Sequence, residues 1–141
     1  MACNLRCVGC YAWKYNKKEE LSFEEMDRIL IEAKEQMGVY FITLTGGEPT
    51  MYSHLLPIVE KHDDIMFQMY THGHNIDKEF AQKIAELGNL YPAISIEGGR
   101  KETDTRRGEG AYDKVLAAMD NLKEAGALFG FSVTHTSLNH D

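Results

Sequence analysis

The chain has 141 residues, of which 43% are hydrophobic and 26% charged, and this is typical of one globular domain with a real core. It contains no run of about 18 apolar residues and no secretory-signal pattern, so we predict no membrane span and a cytoplasmic location. The formal net charge of −7 disfavours a nucleic-acid partner, because phosphate binding requires a basic face.

The first predicted element is a helix. Ser22 and Glu25 form a capping-box pattern, apolar residues follow at helical spacing, and Gly38 ends the helix. The next segment, 39–44, is a nearly continuous apolar run, which predicts a strand buried on both faces.

A second helix and strand follow, and then a third helix. Ser53 is placed to cap the second helix, which tolerates Pro57 in its first turn. Residues 65–70 predict the second strand. Asp77 is placed to cap the third helix, which Gly88 ends.

The last part of the chain repeats the pattern. Residues 93–96 predict a third strand, and 98–110 are expected to form a polar loop. Apolar residues at helical spacing between 112 and 122 predict a fourth helix that ends just before Gly126, and 129–133 predict a fourth strand.

Alternating strands and helices predict an α/β fold with a parallel sheet and right-handed crossovers. About four strands and four helices are fewer than a closed barrel needs, so the sheet is either open or part of a larger barrel. In both cases the site is expected at the carboxyl ends of the strands. Four polar or glycine-rich segments follow the predicted strands: 46–49, 71–74, 97–99 and 134–136.

The only three cysteines, Cys3, Cys7 and Cys10, lie within eight residues of one another. Thiolates are the usual ligands of iron–sulfur clusters, and three of them leave one iron of a four-iron cluster free. Two other interpretations stay open: the cysteines form one buried helix face, or they bind zinc together with one of six histidines. Zinc or a cluster that only stabilises the fold would make the chain a non-catalytic metal-binding module.

The segment Gly46-Gly47-Glu48-Pro49 follows the first predicted strand. Paired glycines allow backbone conformations that other residues avoid, and they let a ligand reach the main chain. Bare carbonyl groups there could accept hydrogen bonds from an ammonium group. The alternative is an ordinary turn after a strand.

The spacing Cys3-x3-Cys7-x2-Cys10 followed by Gly46-Gly47-Glu48-Pro49 resembles the radical S-adenosylmethionine (SAM) superfamily. The resemblance runs along residues 1–141 and implies a partial (β/α) barrel, with a 4Fe–4S cluster held by the cysteines and SAM bound to the fourth iron. It also implies reductive cleavage of SAM to a 5′-deoxyadenosyl radical, which abstracts a hydrogen atom from a substrate. Related enzymes often modify peptides or proteins, and members that act on lipids or small cofactors remain open alternatives.

The resemblance implies a set of cofactor contacts. Gly46 and Gly47 are expected to bind the SAM amino group through their backbone, while Glu48 shapes the turn or accepts a bond itself. The other expected contacts are Pro49 in the same motif, Tyr11 near the adenine, Ser95 and Glu97 at the SAM carboxylate and ribose hydroxyls, and Arg107, preferred over Arg106, at the SAM carboxylate.

Some residues depart from the family pattern. Gly9 stands where many members carry an aromatic side chain before the last cysteine. His72 stands where relatives often have asparagine, and His74 adds a second imidazole. Substrate-side roles for His72, His74 and His135 are hypotheses, and hydrogen-bonded loop histidines are the simpler interpretation.

The resemblance also makes residues 1–141 a core domain without the first and last barrel strands. Exposed sheet edges would then make the chain either an oligomer or marginally stable. By family analogy, the electron would come from a flavodoxin- or ferredoxin-like donor. The sequence does not identify the substrate.

Overall fold

Four parallel strands and five α-helices make up the part of the chain that the computed structural model describes, residues 2–12, 20–137 and 139. The helices are α1 (Phe23–Met37), α2 (Leu55–Lys61), α3 (Lys78–Leu87), α4 (Arg100–Arg107) and α5 (Ala111–Ala125). The strands are β1 (Phe41–Leu44), β2 (Met66–Thr71), β3 (Leu90–Ser95) and β4 (Gly130–Ser132). They are neighbours in chain order, and each pair is parallel. The predicted α/β class with a parallel sheet is confirmed.

The two faces of the sheet differ in burial. Because each crossover moves one place in the same direction, right-handed connections put the helices on one face. Phe67, Met69 and Ile94 point to that face and are completely buried, whereas Tyr70 points to the opposite face and is 39% exposed. The sheet therefore resembles a segment of barrel wall, with helices outside and an open inner face, which is consistent with the predicted partial barrel.

Several helix ends follow their sequence signals. Ser22 Oγ accepts a hydrogen bond from the Glu25 backbone, and Glu25 Oε2 accepts one from the Ser22 backbone, so the predicted capping box is confirmed. Asp77 caps α3 by accepting a bond from the Phe80 backbone. The predicted glycines end α1, α3 and α5 in the left-handed conformation: Gly38, Gly88 and Gly126. These ends fix where the chain turns back toward the sheet.

The segment 98–110, predicted as a polar loop, contains helix α4. Only Thr103 of this helix is buried, so its sequence carries no apolar stripe that would reveal it. The helix is composed largely of charged residues with good helix propensity, and the buried Thr103 hydroxyl accepts a hydrogen bond from the Glu97 backbone. The described chain thus has five α-helices, where the sequence predicted four.

Two other expectations were wrong in detail. Strand β1 is not buried on both faces, because it lies at the edge of the described sheet and leaves Phe41 57% exposed. Ser53 does not cap α2; the 3₁₀ turn Pro49–Met51 carries the chain to His54, which precedes the helix without a side-chain cap. Pro57 does lie in the first turn of α2, as predicted.

The remaining strands match with small shifts. Strand β3 begins before the predicted residue 93, because Leu90 and Tyr91 already pair with β2 on the amino side of Pro92. Strands β2 and β4 and helix α5 lie where the sequence predicted them. Within the described residues, none of the helices is both long and apolar enough to cross a membrane.

Candidate functional site

One cleft of about 290 Å³ brings the three cysteines to the carboxyl ends of the strands. Cys3, Cys7 and Cys10 are free thiols and partly buried. The cleft is also lined by residues that follow or end the four strands, together with Arg107 of α4: Thr45–Glu48, Tyr70–His72, Ser95, Ser132 and Thr134. The structure therefore brings together residues that are up to 131 positions apart in the chain (3 to 134).

The cysteine segment is a compact turn. The backbone of Cys10 donates a hydrogen bond to the Cys7 carbonyl oxygen over 3.1 Å, and Gly9 between them has a φ of 77°. A side chain at this φ would be strained, which gives a local reason for glycine at the position where the family pattern has an aromatic residue. The turn directs Cys7 and Cys10 toward the same cleft.

Burial raises the pKa of the Cys3 and Cys7 thiols above the ordinary value. Desolvation is the main cause for both, and the Arg107 guanidinium lowers both pKa values in part. The Glu48 carboxylate adds to the increase in the pKa of Cys3. At neutral pH these thiols therefore carry protons, which a bound metal has to displace.

The thiols fit a cluster better than a single ion. Among residues 2–12, 20–137 and 139, no three His, Cys, Asp or Glu side chains are arranged to hold one metal ion. In a four-iron cluster each thiolate binds a different iron, so the sulfur atoms need not converge on one point. His72 is the one histidine among the described residues that line the cleft, and both of its ring nitrogens have partners in the chain.

Gly46 and Gly47 support the cysteine segment directly. The Glu48 backbone donates a 2.7 Å hydrogen bond to the Ala2 carbonyl oxygen, next to Cys3. A Cβ atom on Gly47 would lie 2.0 Å from that oxygen, so only glycine allows this approach. Gly46 has a φ of 138°. The glycines thus have a structural reason within the chain, and their predicted backbone contact with SAM stays a prediction.

The Glu48 carboxylate is buried and joins three loops. Its Oε1 accepts hydrogen bonds from the backbone and hydroxyl of Thr50, at 3.2 and 2.7 Å, and from the Thr71 hydroxyl at 2.6 Å. Its Oε2 accepts a bond from the His72 backbone at 3.0 Å. Of the two roles considered for Glu48, this geometry favours shaping the turn. Pro49 begins the 3₁₀ turn and lines a neighbouring cavity of about 400 Å³ rather than the cysteine cleft.

His72 connects the end of β2 to the cysteine segment. Its side chain is buried, with Nε2 2.7 Å from Asn4 Oδ1, while its Nδ1 accepts a hydrogen bond from the His74 backbone. Burial lowers the pKa of His72, although the nearby Glu48 opposes this. The ring is therefore neutral at pH 7 and serves as a hydrogen-bonded loop histidine.

His74 and His135 do not share this arrangement. The His74 ring lies against the His72 ring with centroids 4.6 Å apart, and desolvation lowers its pKa to about 4. His135 is exposed beyond β4, and the described lining of the cleft includes neither residue. Substrate-side roles for all three histidines stay hypotheses.

Two arginines of α4 hold the Glu97 carboxylate, which is 2% exposed. Arg106 Nη1 donates to Glu97 Oε2 at 2.6 Å, and Arg107 donates through Nε and Nη2 to Oε1. The backbone carbonyl of Arg106 also accepts a 2.8 Å bond from Val8, within the cysteine segment. Both Glu97 oxygens therefore have partners in the chain, and a ribose contact for Glu97 stays a prediction.

The other predicted contacts lie on the cleft. Ser95 ends β3 on the inner face, and Arg107 reaches the cleft while it holds Glu97. Tyr11 lines the cleft and is 64% exposed. Sequence reasoning missed Tyr70 and Ser132, although both stand at alternate inner-face positions of their strands, the signal that could have found them.

Comparisons with known proteins agree with this site. The model of the radical SAM superfamily matches residues 1–141. The chain is 36% identical to Fe-coproporphyrin III synthase of Methanosarcina barkeri, over 97% of this chain and 35% of the relative. It is 34% identical to mycofactocin maturase MftC of Mycolicibacterium smegmatis, over 89% of this chain and 33% of the relative.

A solved structure shares the fold. Streptococcus suis SuiB bound to precursor peptide SuiA superposes with a TM-score of 0.84 and 24% identity, over 97% of this chain and 31% of SuiB. The chain spans about a third of the length of the relatives it matches. Enzymes of the matched superfamily use a 4Fe–4S cluster and SAM, the cofactors predicted from the motifs. Since the superfamily model covers the whole chain and agrees with the cysteine spacing, the chain belongs to the radical SAM superfamily.

Proposed function

We propose that this chain is the part of a radical SAM enzyme that binds the cluster and SAM, residues 1–141 being a core domain. The observation that carries the proposal is the shared cleft, in which three partly buried thiols face the Gly46–Gly47 backbone and Arg107. Such enzymes begin their reaction in a site like this one, enclosed on one side and open on the other. The experiment below tests both cofactors together.

In the proposed site, Cys3, Cys7 and Cys10 hold the cluster. Their partial burial limits access by water and oxidants, and the fixed turn between Cys7 and Cys10 sets the spacing of two of the ligands. When bound, the cluster and SAM supply the electron and the carbon-centred radical with which a hydrogen atom is abstracted.

The remaining lining residues are suited to hold SAM. The backbone of Gly46 and Gly47 offers acceptors for an ammonium group, and Arg107 supplies positive charge for a carboxylate. Ser95 gives a hydroxyl for a polar contact, and Tyr11 an exposed ring against which an adenine could stack. Glu48 and Glu97 act in this proposal mainly by holding the loops that carry these groups.

A peptide is the substrate class that we favour. MftC is a maturase by name, and SuiB was solved bound to a precursor peptide. In this chain, the inner face of β2 next to the cleft leaves Tyr70 39% exposed, which provides a wall for an extended ligand. The similarity to Fe-coproporphyrin III synthase favours a second candidate, a tetrapyrrole.

Other parts of the proposal depend on the family alone. We expect a flavodoxin- or ferredoxin-like electron donor and a cytoplasmic location. Association through exposed sheet edges also stays a prediction, and light scattering coupled to gel filtration tests it. A stable, high-melting monomer would contradict association.

The test of the proposed function is the formation of 5′-deoxyadenosine. The chain is reconstituted anaerobically with iron and sulfide, and it then receives SAM and dithionite. We expect 5′-deoxyadenosine from the original chain and from the surface variant Asp113→Asn, but none from Cys7→Ala. A protein that holds one zinc ion and releases no 5′-deoxyadenosine would instead support the non-catalytic metal-binding module.

A further inference from the structure

The cysteine segment is tied to the domain by three hydrogen bonds at three different places. The Ala2 carbonyl accepts from the Glu48 backbone, and the Val8 backbone donates to the Arg106 carbonyl. These two bonds involve only main-chain atoms. The third joins two side chains, Asn4 Oδ1 and His72 Nε2, over 2.7 Å. Of these three ties, it is therefore the one that depends on side-chain identity.

The direction of the third bond follows from the rest of the ring. The His74 backbone N–H donates to His72 Nδ1 over 3.0 Å, so Nδ1 has to be an unprotonated acceptor. The ring proton of the neutral imidazole then lies on Nε2, which donates to Asn4. The Asn4 oxygen accepts, as the structure places it.

The end of β2 holds His72 firmly. The His72 backbone donates to Glu48 Oε2 at 3.0 Å, and its Nε2 lies 3.3 Å from the same oxygen. Thr71, the preceding residue, donates to Glu48 Oε1 at 2.6 Å. The imidazole is 4% exposed, so it cannot swing away from Asn4 without opening the buried network.

We propose that His72 is a positioning residue for the cysteine segment. Its Nε2–H bond to Asn4 fixes the stretch between Cys3 and Cys7 over the strand ends and presets the thiols for the cluster. The proposal rests on the proposed function only for what the thiols bind. Whether the bond orders the segment can be tested in the protein without a cluster.

The first test measures how fast iodoacetamide alkylates the three cysteines, the only thiols in the chain, in the metal-free protein. Loss of the bond should let the segment open more often, so His72→Ala and Asn4→Ala should each react about tenfold faster. Because both changes remove the same bond, the double variant should also react about tenfold faster rather than about a hundredfold. His54→Ala is the control, since His54 packs beside Phe23 and Tyr52, and we expect the original rate.

Two conservative variants separate the roles of the two ring nitrogens. His72→Gln places an amide N–H near the position of Nε2 and should keep the bond to Asn4. His72→Asn places an acceptor near the position of Nδ1 and should keep only the bond from the His74 backbone. We expect slow alkylation for His72→Gln and fast alkylation for His72→Asn, with folded circular-dichroism spectra for both.

The second test loads each variant with iron and sulfide and records iron content and the electron paramagnetic resonance of the reduced protein. We expect His72→Asn to bind several-fold less iron, and His72→Gln to keep the original content and line shape. The opposite order of the two variants, or rates within twofold of the original for His72→Ala, would overturn the assignment. If the original chain binds no cluster but the alkylation order holds, the positioning role stands and the proposed function fails.

Discussion

The substitution Glu97→Gln tests whether the ion pairs behind the cleft hold the domain together. It keeps the shape of the side chain but removes the charge that Arg106 and Arg107 share. It also turns an amide N–H₂ group toward one of the two guanidinium groups, both of which are themselves donors. The variant therefore leaves two cations with a single neutral acceptor.

The expected magnitude follows from burial. The Glu97 side chain is 2% exposed, and those of Arg106 and Arg107 are 18% and 12% exposed. Removing one partner of a buried ion pair costs about 3–5 kcal/mol. Because water still reaches part of each guanidinium, we expect a value near the lower end, about 3 kcal/mol. This is a large share of the roughly 5–15 kcal/mol that stabilises a typical domain.

The assay is urea unfolding at pH 7, followed by circular dichroism. The matched control is Asp113→Asn, because Asp113 forms a similar two-bond pair with Arg100 but at the surface, with side chains 63% and 56% exposed. We expect the control to lose only a small fraction of what Glu97→Gln loses. Equal losses in the two variants, or a loss below about 1 kcal/mol for Glu97→Gln, would refute the reasoning.

Three further predictions concern the residues around the cysteine segment. Gly47→Ala should displace Ala2, because the new Cβ would lie 2.0 Å from its carbonyl oxygen; iron uptake should fall, while Gly130→Ala, which meets nothing within 4 Å, should bind iron normally. Equal iron contents would contradict this. Thr71→Val removes a 2.6 Å bond to a buried carboxylate and should cost about 1–3 kcal/mol in urea unfolding; an unchanged midpoint would count against that bond. The pKa of His74 is lowered to about 4, so the folded protein disfavours its charged form, and stability should be lost as the pH falls from about 6.5 toward 4. His74→Gln should reduce that loss by about 1–2 kcal/mol, after allowance for the partial exposure of the ring, and an identical pH profile would contradict it.

Much of the fold could be predicted because its signals are local. A capping box such as Ser22 with Glu25 lies within one turn of helix, and so does a terminal glycine such as Gly38. Helix α4 could not be found in this way, since Thr103 is its one buried residue and the others give no apolar pattern. The exposure of β1 depends on its place at the sheet edge, which the strand's own sequence does not encode.

The site divides along the same line. The cysteines and glycines could be singled out because thiolate chemistry and the lack of a Cβ belong to the residue itself. The partners of the polar residues could not, because Asn4 and His72 are 68 positions apart and meet only through the fold. Glu97 was expected to face a ligand, but its immediate partners are arginines on a helix that the sequence did not reveal.

The measurement that tests the central claim most directly is the electron paramagnetic resonance of the reconstituted, reduced chain, with and without SAM. The account predicts a brown protein with about four iron atoms per chain, whose signal changes when SAM is added. It also predicts that Cys3→Ala, Cys7→Ala and Cys10→Ala each abolish the signal. A colourless protein with one bound zinc, or a cluster whose signal SAM leaves unchanged, would contradict the account.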